Sequence, residues 1–481
     1  SPSIFADVML NLMGTDDFSF SAATTVYAIG KITPPASVFE KPSLAFDKVV
    51  VNNIVIEVNT QVFYLKGTIT YKKDDPVYGK GFFGGIALSI KDVLEEPISS
   101  NVWFGTVNNM KYWYVDATVP VAIPVGPVIE IRRLKGALYY HMRQNQSVVA
   151  LANAIHDQAT LSNPLTFVPD STIGLGFKAG AYFIVLPNEK LANGDVQFEI
   201  EFNSPANGGG LNHVGLNGQV YFLANYQERS SSSGHKVTGY VNMLYDNMTK
   251  SFDAILAVNL QMPKISGSAQ CVIHLDSVNW SICVGKPSQK ANLSVLNLGN
   301  ISAYFMIGNQ LEPMPAIPNY ITNVVNCSGL QQARNNQDLS EAKGWVTGAS
   351  FSTSKNGSFG FDFFEVYYGF WAQAGFDMML ANYGPTAHCA GDQDKIGING
   401  WYAQGQMYAY LSGNVGVRGN ILHKDFDFTI LNLQAAAILA GQAPKPTYTT
   451  GGVGCDYEIF GTFNGHIDFG FEIGSYCSVT Q

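Results

Sequence analysis

The sequence predicts an all-β protein with minor α content, made of large antiparallel meander sheets with long twisted strands in an elongated, sandwich-like architecture. Three observations predict this fold. Apolar and polar residues alternate with a period of two along much of the chain, which is the pattern of strands. Turn-forming residues separate the alternating segments. Charged residues make up only 14% of the 481 residues, whereas an average soluble domain has about 25%.

The first two thirds of the chain predict a series of antiparallel strands. Residues 49–58 and 62–71 predict a hairpin around the turn at 59–61. Further alternating segments follow at 174–186, 196–202, 214–224, 237–245 and 252–260. Short glycine- and asparagine-rich stretches lie between them, so neighbouring strands can pair in chain order.

The last third predicts longer strands. The alternation from 401 to 417 predicts one strand of about 20 residues, which would span roughly 65 Å. Its glycines predict a bend or a bulge. The tail from 455 to 473 keeps its alternation through Asn464-Gly465. A two-residue turn there would break the alternation, so a continuous strand or an odd-length loop is favoured.

Helix is scarce, and four regions are predicted. Residues 148–159 and 320–342 favour short helices, and the apolar run 435–440 fits either helix or strand. The predicted regions are an N-terminal β region (1–170), a central antiparallel β domain (171–308), a linker with short helices (309–345) and a C-terminal long-stranded β domain (346–481).

Composition excludes several classes of protein. The net charge is 28 − 37 = −9, which argues against a nucleic-acid partner. No apolar run approaches the about 18 residues that a membrane-spanning helix needs. The chain begins Ser-Pro-Ser-Ile without an initiator methionine or a visible signal peptide. We therefore expect either a removed leader or a fragment of a longer protein, and both suit an exported protein.

The six cysteines are possible disulfide partners, with 15 connectivities open. They are Cys271, Cys283, Cys327, Cys389, Cys455 and Cys477. The pair Cys271 and Cys283 depends on the turn between them. A three-residue loop would place the two residues opposite each other. A two-residue turn at Ser277-Val278 would place Cys271 opposite residue 284, with the two sulfurs on opposite faces.

The search for catalytic chemistry is negative. No HExxH motif, P-loop or GxSxG elbow is present, and no cofactor is expected. The densest group of potential metal ligands is His388-Cys389 with Asp392 and Asp394. Calcium would prefer the two carboxylates, but ordinary turn-forming aspartates explain the same pattern. Asp392 and Asp394 are therefore only weak metal candidates.

One polar-aromatic strand face is the best candidate for a binding surface. Its residues occupy the even positions of the predicted strand: Tyr402, Gln404, Gln406, Tyr408 and Tyr410. Tyrosine and glutamine tolerate both solvent and contact, which suits protein or glycan binding. The alternative is an interface between sheets of the same chain.

Three segments carry a resemblance to known proteins. They are His274-Leu-Asp-Ser-Val-Asn-Trp280 running to Pro287, Ile301-Ser-Ala-Tyr-Phe-Met-Ile-Gly308, and Gly397-Ile-Asn-Gly-Trp-Tyr-Ala-Gln-Gly-Gln-Met-Tyr-Ala-Tyr410. With the tail Phe469-Gly-Phe-Glu-Ile-Gly474 they resemble very large, mostly uncharacterised β-rich proteins of Bacteroidota. The resemblance covers roughly residues 170–481. It implies export, display at the cell surface and a link to gliding motility or type IX secretion, and it implies no catalytic residues.

These observations lead to one main hypothesis and two alternatives. The chain is predicted to be a non-enzymatic structural or binding module of a large bacterial cell-surface protein. Its predicted partners are other protein subunits, copies of itself or glycans, because long sheets must hide or pair their edges. The first alternative is an outer-membrane β-barrel component, with strands of about 9–11 residues and an apolar outer face. The second is a secreted carbohydrate-binding or carbohydrate-active protein.

Overall fold

Strands dominate the protein. The computed structural model describes residues 2–15, 18–34, 42–92, 96–144, 167–229, 236–325, 342–361, 364–421 and 424–480. Among these residues, 23 strands belong to one antiparallel sheet, and four short strands form two separate pairs. The predicted all-β fold with minor α content is confirmed.

The chain divides into two compact units. Unit 1 comprises residues 1–233 and 244–248, and unit 2 comprises 234–243 and 249–481. The division of the sequence into four regions stays a prediction.

Unit 1 is a meander in which each long strand pairs with a strand that is near it in the chain. Its strands are β1 (Ser3–Thr15), β2 (Phe18–Thr33), β3 (Ser43–Thr60), β4 (Phe63–Asp75), β5 (Gly79–Ile90), β6 (Ile98–Val107), β7 (Met110–Val125), β8 (Ile129–Tyr140), β9 (Met142–Gln144), β10 (Phe167–Pro169), β11 (Ile173–Val185), β12 (Asn193–Asn203) and β13 (Leu211–Phe222). β8 pairs with β11, and the short strands β9 and β10 pair with each other. The ring of Phe167 on β10 packs on Tyr114 and Tyr139.

Unit 2 is also made of antiparallel strands. They are most of β14 (Lys236–Asp246), then β15 (Ser251–Gln261), β16 (Ile265–Leu275), β17 (Trp280–Val284), β18 (Ala291–Val295), β19 (Gly299–Asn309), β20 (Lys343–Phe361), β21 (Phe364–Asn382), β22 (His388–Cys389), β23 (Trp401–Ile421), β24 (Lys424–Ala443), β25 (Tyr448–Ile459), β26 (Phe463–Gly474) and β27 (Val479–Thr480). Strands β20, β21, β23 and β24 are the longest described, with 19 to 21 residues. The short strands β22 and β27 pair outside the main sheet.

Helical structure in the described residues is limited to single turns. A 3₁₀ turn covers Pro205–Asn207, and α1 covers Asn319–Thr322. α1 lies in the segment predicted as a linker with short helices. The predicted helix at 148–159 lies outside the described residues. None of the described helices has the length and hydropathy of a helix that crosses a membrane.

The predicted long strands are confirmed in detail. β23 has 21 residues, and a bulge interrupts its pairing with β24 between Val415 and Gly416. The ambiguous run 435–440 lies within β24. Asn464 and Gly465 lie within β26, and the preceding turn falls before Phe463. The tail from 455 to 473 is therefore two paired strands, β25 and β26, joined by a three-residue loop at 460–462. The odd-length loop keeps the alternation, and a single continuous strand over the whole tail is wrong.

Glycine has a specific role in these strands, because tyrosine rings lie over glycines directly opposite them on the neighbouring strand. At seven such positions among the described residues, an added Cβ would meet the tyrosine ring within 3.0 Å. The pairs are Gly105 with Tyr112, Gly176 with Tyr139, Gly348 with Tyr304, Gly357 with Tyr368, Gly375 with Tyr408, Gly416 with Tyr367, and Gly465 with Tyr457. The glycines of the long strands thus make room for large cross-strand neighbours.

Replacing Gly375 with alanine is therefore expected to destabilise the protein. The new Cβ would lie 2.6 Å from the ring of Tyr408, and such overpacking typically costs about 1–3 kcal/mol. Gly360→Ala is the matched control, since nothing lies within 4 Å of its Cβ position. Denaturant unfolding of both variants measures the difference, and equal free energies of unfolding would contradict this role of glycine.

Candidate functional site

The predicted binding surface on β23 is buried. Tyr402 and Gln404 are 0% and 3% exposed, and Gln406, Tyr408 and Tyr410 are at most 7% exposed. These five residues are therefore not a free surface, and the expectation of an open binding surface is wrong. The face is internal, as in the alternative, but the residues found to cover it lie in loops and in α1 rather than in a second sheet. The alternation showed that one face of the strand was polar and aromatic, but it did not show which segments cover that face.

Segments of unit 2 itself cover this surface. Tyr402 donates a hydrogen bond from its hydroxyl to the carbonyl of Pro446, at 2.9 Å. Gln406 donates to the carbonyl of Pro315 at 2.7 Å and to Asp377 at 2.9 Å. Ile321 of α1 is fully buried in the cluster that contains Tyr408 and Tyr410. The polar atoms of the predicted surface thus hold the covering segments in place.

One disulfide is present among the described cysteines, between Cys389 and Cys477, whose Cα atoms are 5.1 Å apart. Cys271, Cys283 and Cys455 are free, which corrects the expectation that they could pair. Cys271 lies opposite Val284, so the two-residue turn is the one observed and the sulfurs of Cys271 and Cys283 face opposite sides. Cys327 lies outside the described residues.

That turn is stabilised by Asp276. Its carboxylate accepts hydrogen bonds from the backbone N–H groups of Val278 and Asn279, both at 2.6 Å. These bonds lower the pKa of Asp276 to about 2, because they favour the charged form. An aspartate that binds its own turn fixes the hairpin register and with it the separation of the two cysteines.

Asp392 and Asp394 do not form a metal site with other described residues. Both side chains are exposed, and the backbone N–H of Asp394 donates to Asp392 at 3.0 Å. This is the turn-forming arrangement that explained the pattern without a metal. In the described part of the chain, the one group of three metal-ligand side chains lies in unit 1 instead.

That group is part of a charged cluster on four neighbouring strands of unit 1. The cluster comprises Tyr139 (β8), Lys178 (β11), Glu199 and Glu201 (β12), and His213 (β13). Glu199 and Glu201 share a face because they are two residues apart on one strand. His213 lies directly opposite Glu201, and Tyr139 lies opposite Gly176, which leaves room for its ring.

Hydrogen bonds and ion pairs connect the cluster. Lys178 is 2% exposed, and its Nζ lies 3.0 Å from Oε1 of Glu199. The hydroxyl of Tyr139 donates to Glu199 at 2.7 Å and to Glu201 at 3.1 Å. The ring nitrogens of His213 face the two carboxylates at 3.8 and 3.5 Å. Lys178 also contacts Gln144 and lies 5.2 Å from the centre of the Phe167 ring.

The cluster could hold a metal ion only in competition with its own lysine. The ligand atoms of Glu199, Glu201 and His213 lie within 4.8 Å of one another. However, the buried ammonium of Lys178 already compensates Glu199. We therefore interpret the cluster as an internal ion-pair network. The alternation in the sequence predicts these strands but does not predict the cluster, because the cluster depends on the register of four strands.

The two faces of the sheet have opposite chemistry in unit 1. We call the side that carries the charged cluster the polar face and the opposite side the apolar face. One row across five strands of the polar face reads Tyr114, Tyr139, Gly176, Glu201, His213. The next row along the strands, on the apolar face, reads Val115, Leu138, Phe177, Ile200, Val214.

Unit 2 shows the same division. A row of the polar face reads Tyr304, Gly348, Asp377, Gln406, Ala440, Thr450. The adjacent apolar row reads Ala349, Phe376, Met407, Leu439, Gly451, Phe471. In both units the apolar face is the one left open: Phe177 is 41% and Met407 54% exposed, whereas their neighbours Lys178 and Gln406 are 2% and 6% exposed.

Comparison with known proteins adds no relative. No family model matches the chain, and no curated protein or solved structure does either.

Proposed function

We propose that the protein is a non-enzymatic membrane component whose strands span the bilayer, with the apolar face of each unit in contact with lipid. The observation that carries the proposal is the reversed polarity of the sheet. A soluble sheet covers its apolar face and leaves its polar face in water. Here the polar rows that contain Lys178 and Gln406 are covered, and the adjacent apolar rows are open.

Energetics support this proposal. Water-exposed apolar area costs about 25 cal/mol per Å² relative to burial, and soluble monomers rarely expose apolar patches beyond a few hundred Å². Most of the long strands carry large apolar side chains that are more than one third exposed. If the apolar rows contact lipid, none of them carries the free-energy cost of exposure to water. The polar face is then the side that needs contact with protein or water.

The backbone supports the same proposal. A spanning segment must satisfy its N–H and C=O groups internally, and interior strands of the meander pair on both sides, as β11 does with β8 and β12. Strands of 10–21 residues in most of the sheet exceed the about 9–11 residues that a tilted membrane strand needs. Display at a bacterial surface and assembly with other subunits stay predictions of the sequence.

Arginine substitution on the apolar face tests the proposal. Met407→Arg places a charge in the middle of the apolar row, which costs about 2–4 kcal/mol at the midplane of a bilayer. We expect this variant to show a lower folded fraction in phospholipid vesicles. Val278→Arg is the matched control, because Val278 is an equally apolar residue, 75% exposed, in a turn.

The measurement is denaturant-dependent folding in vesicles, with a parallel sedimentation experiment in buffer without lipid or detergent. The wild-type protein is expected to stay monodisperse only with an amphiphile. The proposal fails if the protein is monodisperse without amphiphile and Met407→Arg folds as well as Val278→Arg.

A further inference from the structure

An open groove lies on the polar face of unit 2, remote in sequence from the charged cluster. Its volume is about 340 Å³, within the range of about 300–1,000 Å³ that is usual for small-molecule sites. Strands β14, β15, β16 and β18 and the loop before β18 line it. Nothing in the proposed membrane role of the apolar face accounts for this groove.

The register of three strands explains why the groove exists. Asn259 lies opposite Ser268, and Ser268 lies opposite Asn292. In the adjacent row along the same face, Ala257 lies opposite Gln270. Ala257 and Ser268 are small, so they form a floor. The longer side chains around them form the walls, which include Tyr240 and Lys290.

The lining has a distinctive chemistry. It offers four side-chain amides, three hydroxyls and one ammonium, and no carboxylate is among its residues. The chain as a whole carries 37 acidic and 28 basic residues. The groove lining therefore differs from the whole chain, because its net charge is positive rather than negative. The amides are those of Asn259, Gln270, Gln289 and Asn292.

Most of these amides are available to a ligand. Asn292 donates to the hydroxyl of Ser268 at 2.9 Å. The side-chain amides of Asn259, Gln270 and Gln289 have no hydrogen-bond partner among the described residues. Each amide offers donors and an acceptor at one site, which matches the hydroxyl groups of a sugar. The ammonium of Lys290, 5.4 Å from the centre of the Tyr304 ring, adds one positive charge at the edge.

We propose that the groove binds an acidic saccharide, with the amides holding the sugar hydroxyls and Lys290 pairing with the carboxylate. A neutral sugar would use the amides alone and would leave the ammonium without an anionic partner. A nucleic acid is disfavoured, because a single ammonium cannot compensate a row of phosphates.

Saturation-transfer NMR with glucuronate and glucose tests this proposal. The chain of 481 residues is used in a detergent without a sugar head group, so that the amphiphile does not compete. Glucuronate is expected to bind at least tenfold more tightly than glucose. Lys290→Gln is expected to remove that preference, and Gln270→Ala to weaken both sugars.

Lys264→Gln is the matched control, because it removes the same charge from an exposed turn outside the groove. It is expected to leave both affinities unchanged. Absence of glucuronate binding, equal binding of the two sugars by the wild-type protein, or equal effects of Lys264→Gln and Lys290→Gln would each overturn the proposal. Far-UV circular dichroism of each variant establishes that the strands are retained.

Discussion

Lys178→Met is expected to lower the free energy of unfolding by about 3–5 kcal/mol, which is the usual cost of breaking a buried ion pair by removing one partner. Lys178 is 2% exposed and lies 3.0 Å from Glu199. Without its ammonium, Glu199 and the neighbouring Glu201 would keep two carboxylates on a covered face with less compensation. Guanidinium unfolding measures the loss.

Two further variants make this experiment decisive. Lys190→Met removes the lysine of an exposed pair with Glu228, whose side chains are 51% and 40% exposed, and surface pairs contribute at most about 1 kcal/mol. The double variant Lys178→Met with Glu199→Gln removes both charges and is expected to recover most of the lost stability. Equal effects of Lys178→Met and Lys190→Met would show that the cluster is not an effective ion-pair network.

Removing the Cys389–Cys477 disulfide is expected to have a comparable effect. The bond closes a loop with a sequence separation of 88 residues. In the chain-entropy description, a loop of this size contributes about 4.6 kcal/mol by restricting the unfolded chain. Replacement of both cysteines by serine, or reduction of the wild-type protein, should therefore lower the unfolding midpoint.

Cys455→Ser is the control for the disulfide, because Cys455 is a free, half-buried thiol. We expect only a small change in the midpoint for this variant and an unchanged response to reductant. A double serine variant as stable as Cys455→Ser would contradict a stabilising role of the bond.

Strand positions were readable from the sequence because they depend on local alternation. The alternation predicts β23 nearly as it is, since a period of two over many residues has no helical counterpart. It does not locate the turn between β25 and β26, because a three-residue loop preserves the alternation. The turn at Ser277-Val278 was narrowed to two registers, and Asp276 selects one of them through its own hydrogen bonds.

The sequence does not predict which face of a strand is buried. Alternation separates the Tyr402 face from the Trp401 face, but it does not say which face is covered. The covering residues come from distant segments, such as Pro315 and Pro446. Apolar faces are usually covered, so the Trp401 face would be expected to be buried and the Tyr402 face to be open. The structure shows the opposite, since Tyr402 is buried and Trp401 is exposed. The charged cluster is not predicted for a related reason. It needs β8 to pair with β11, and these two strands are not consecutive in the chain.

The nearest-neighbour order of the strands also has a kinetic consequence. Pairs such as β20 with β21 and β25 with β26 join strands that follow each other directly in the chain, so each contact closes a short loop and the contact order is low. Low contact order favours rapid, stepwise folding by successive hairpins. Among the described strands, β16 with β18 and β17 with β19 pair across one short strand. Within each unit, the longest connections between paired strands of the main sheet join β8 to β11 and β19 to β20. Their longer loops carry a larger closure entropy, so in each unit we expect these pairings to form after the hairpins on either side.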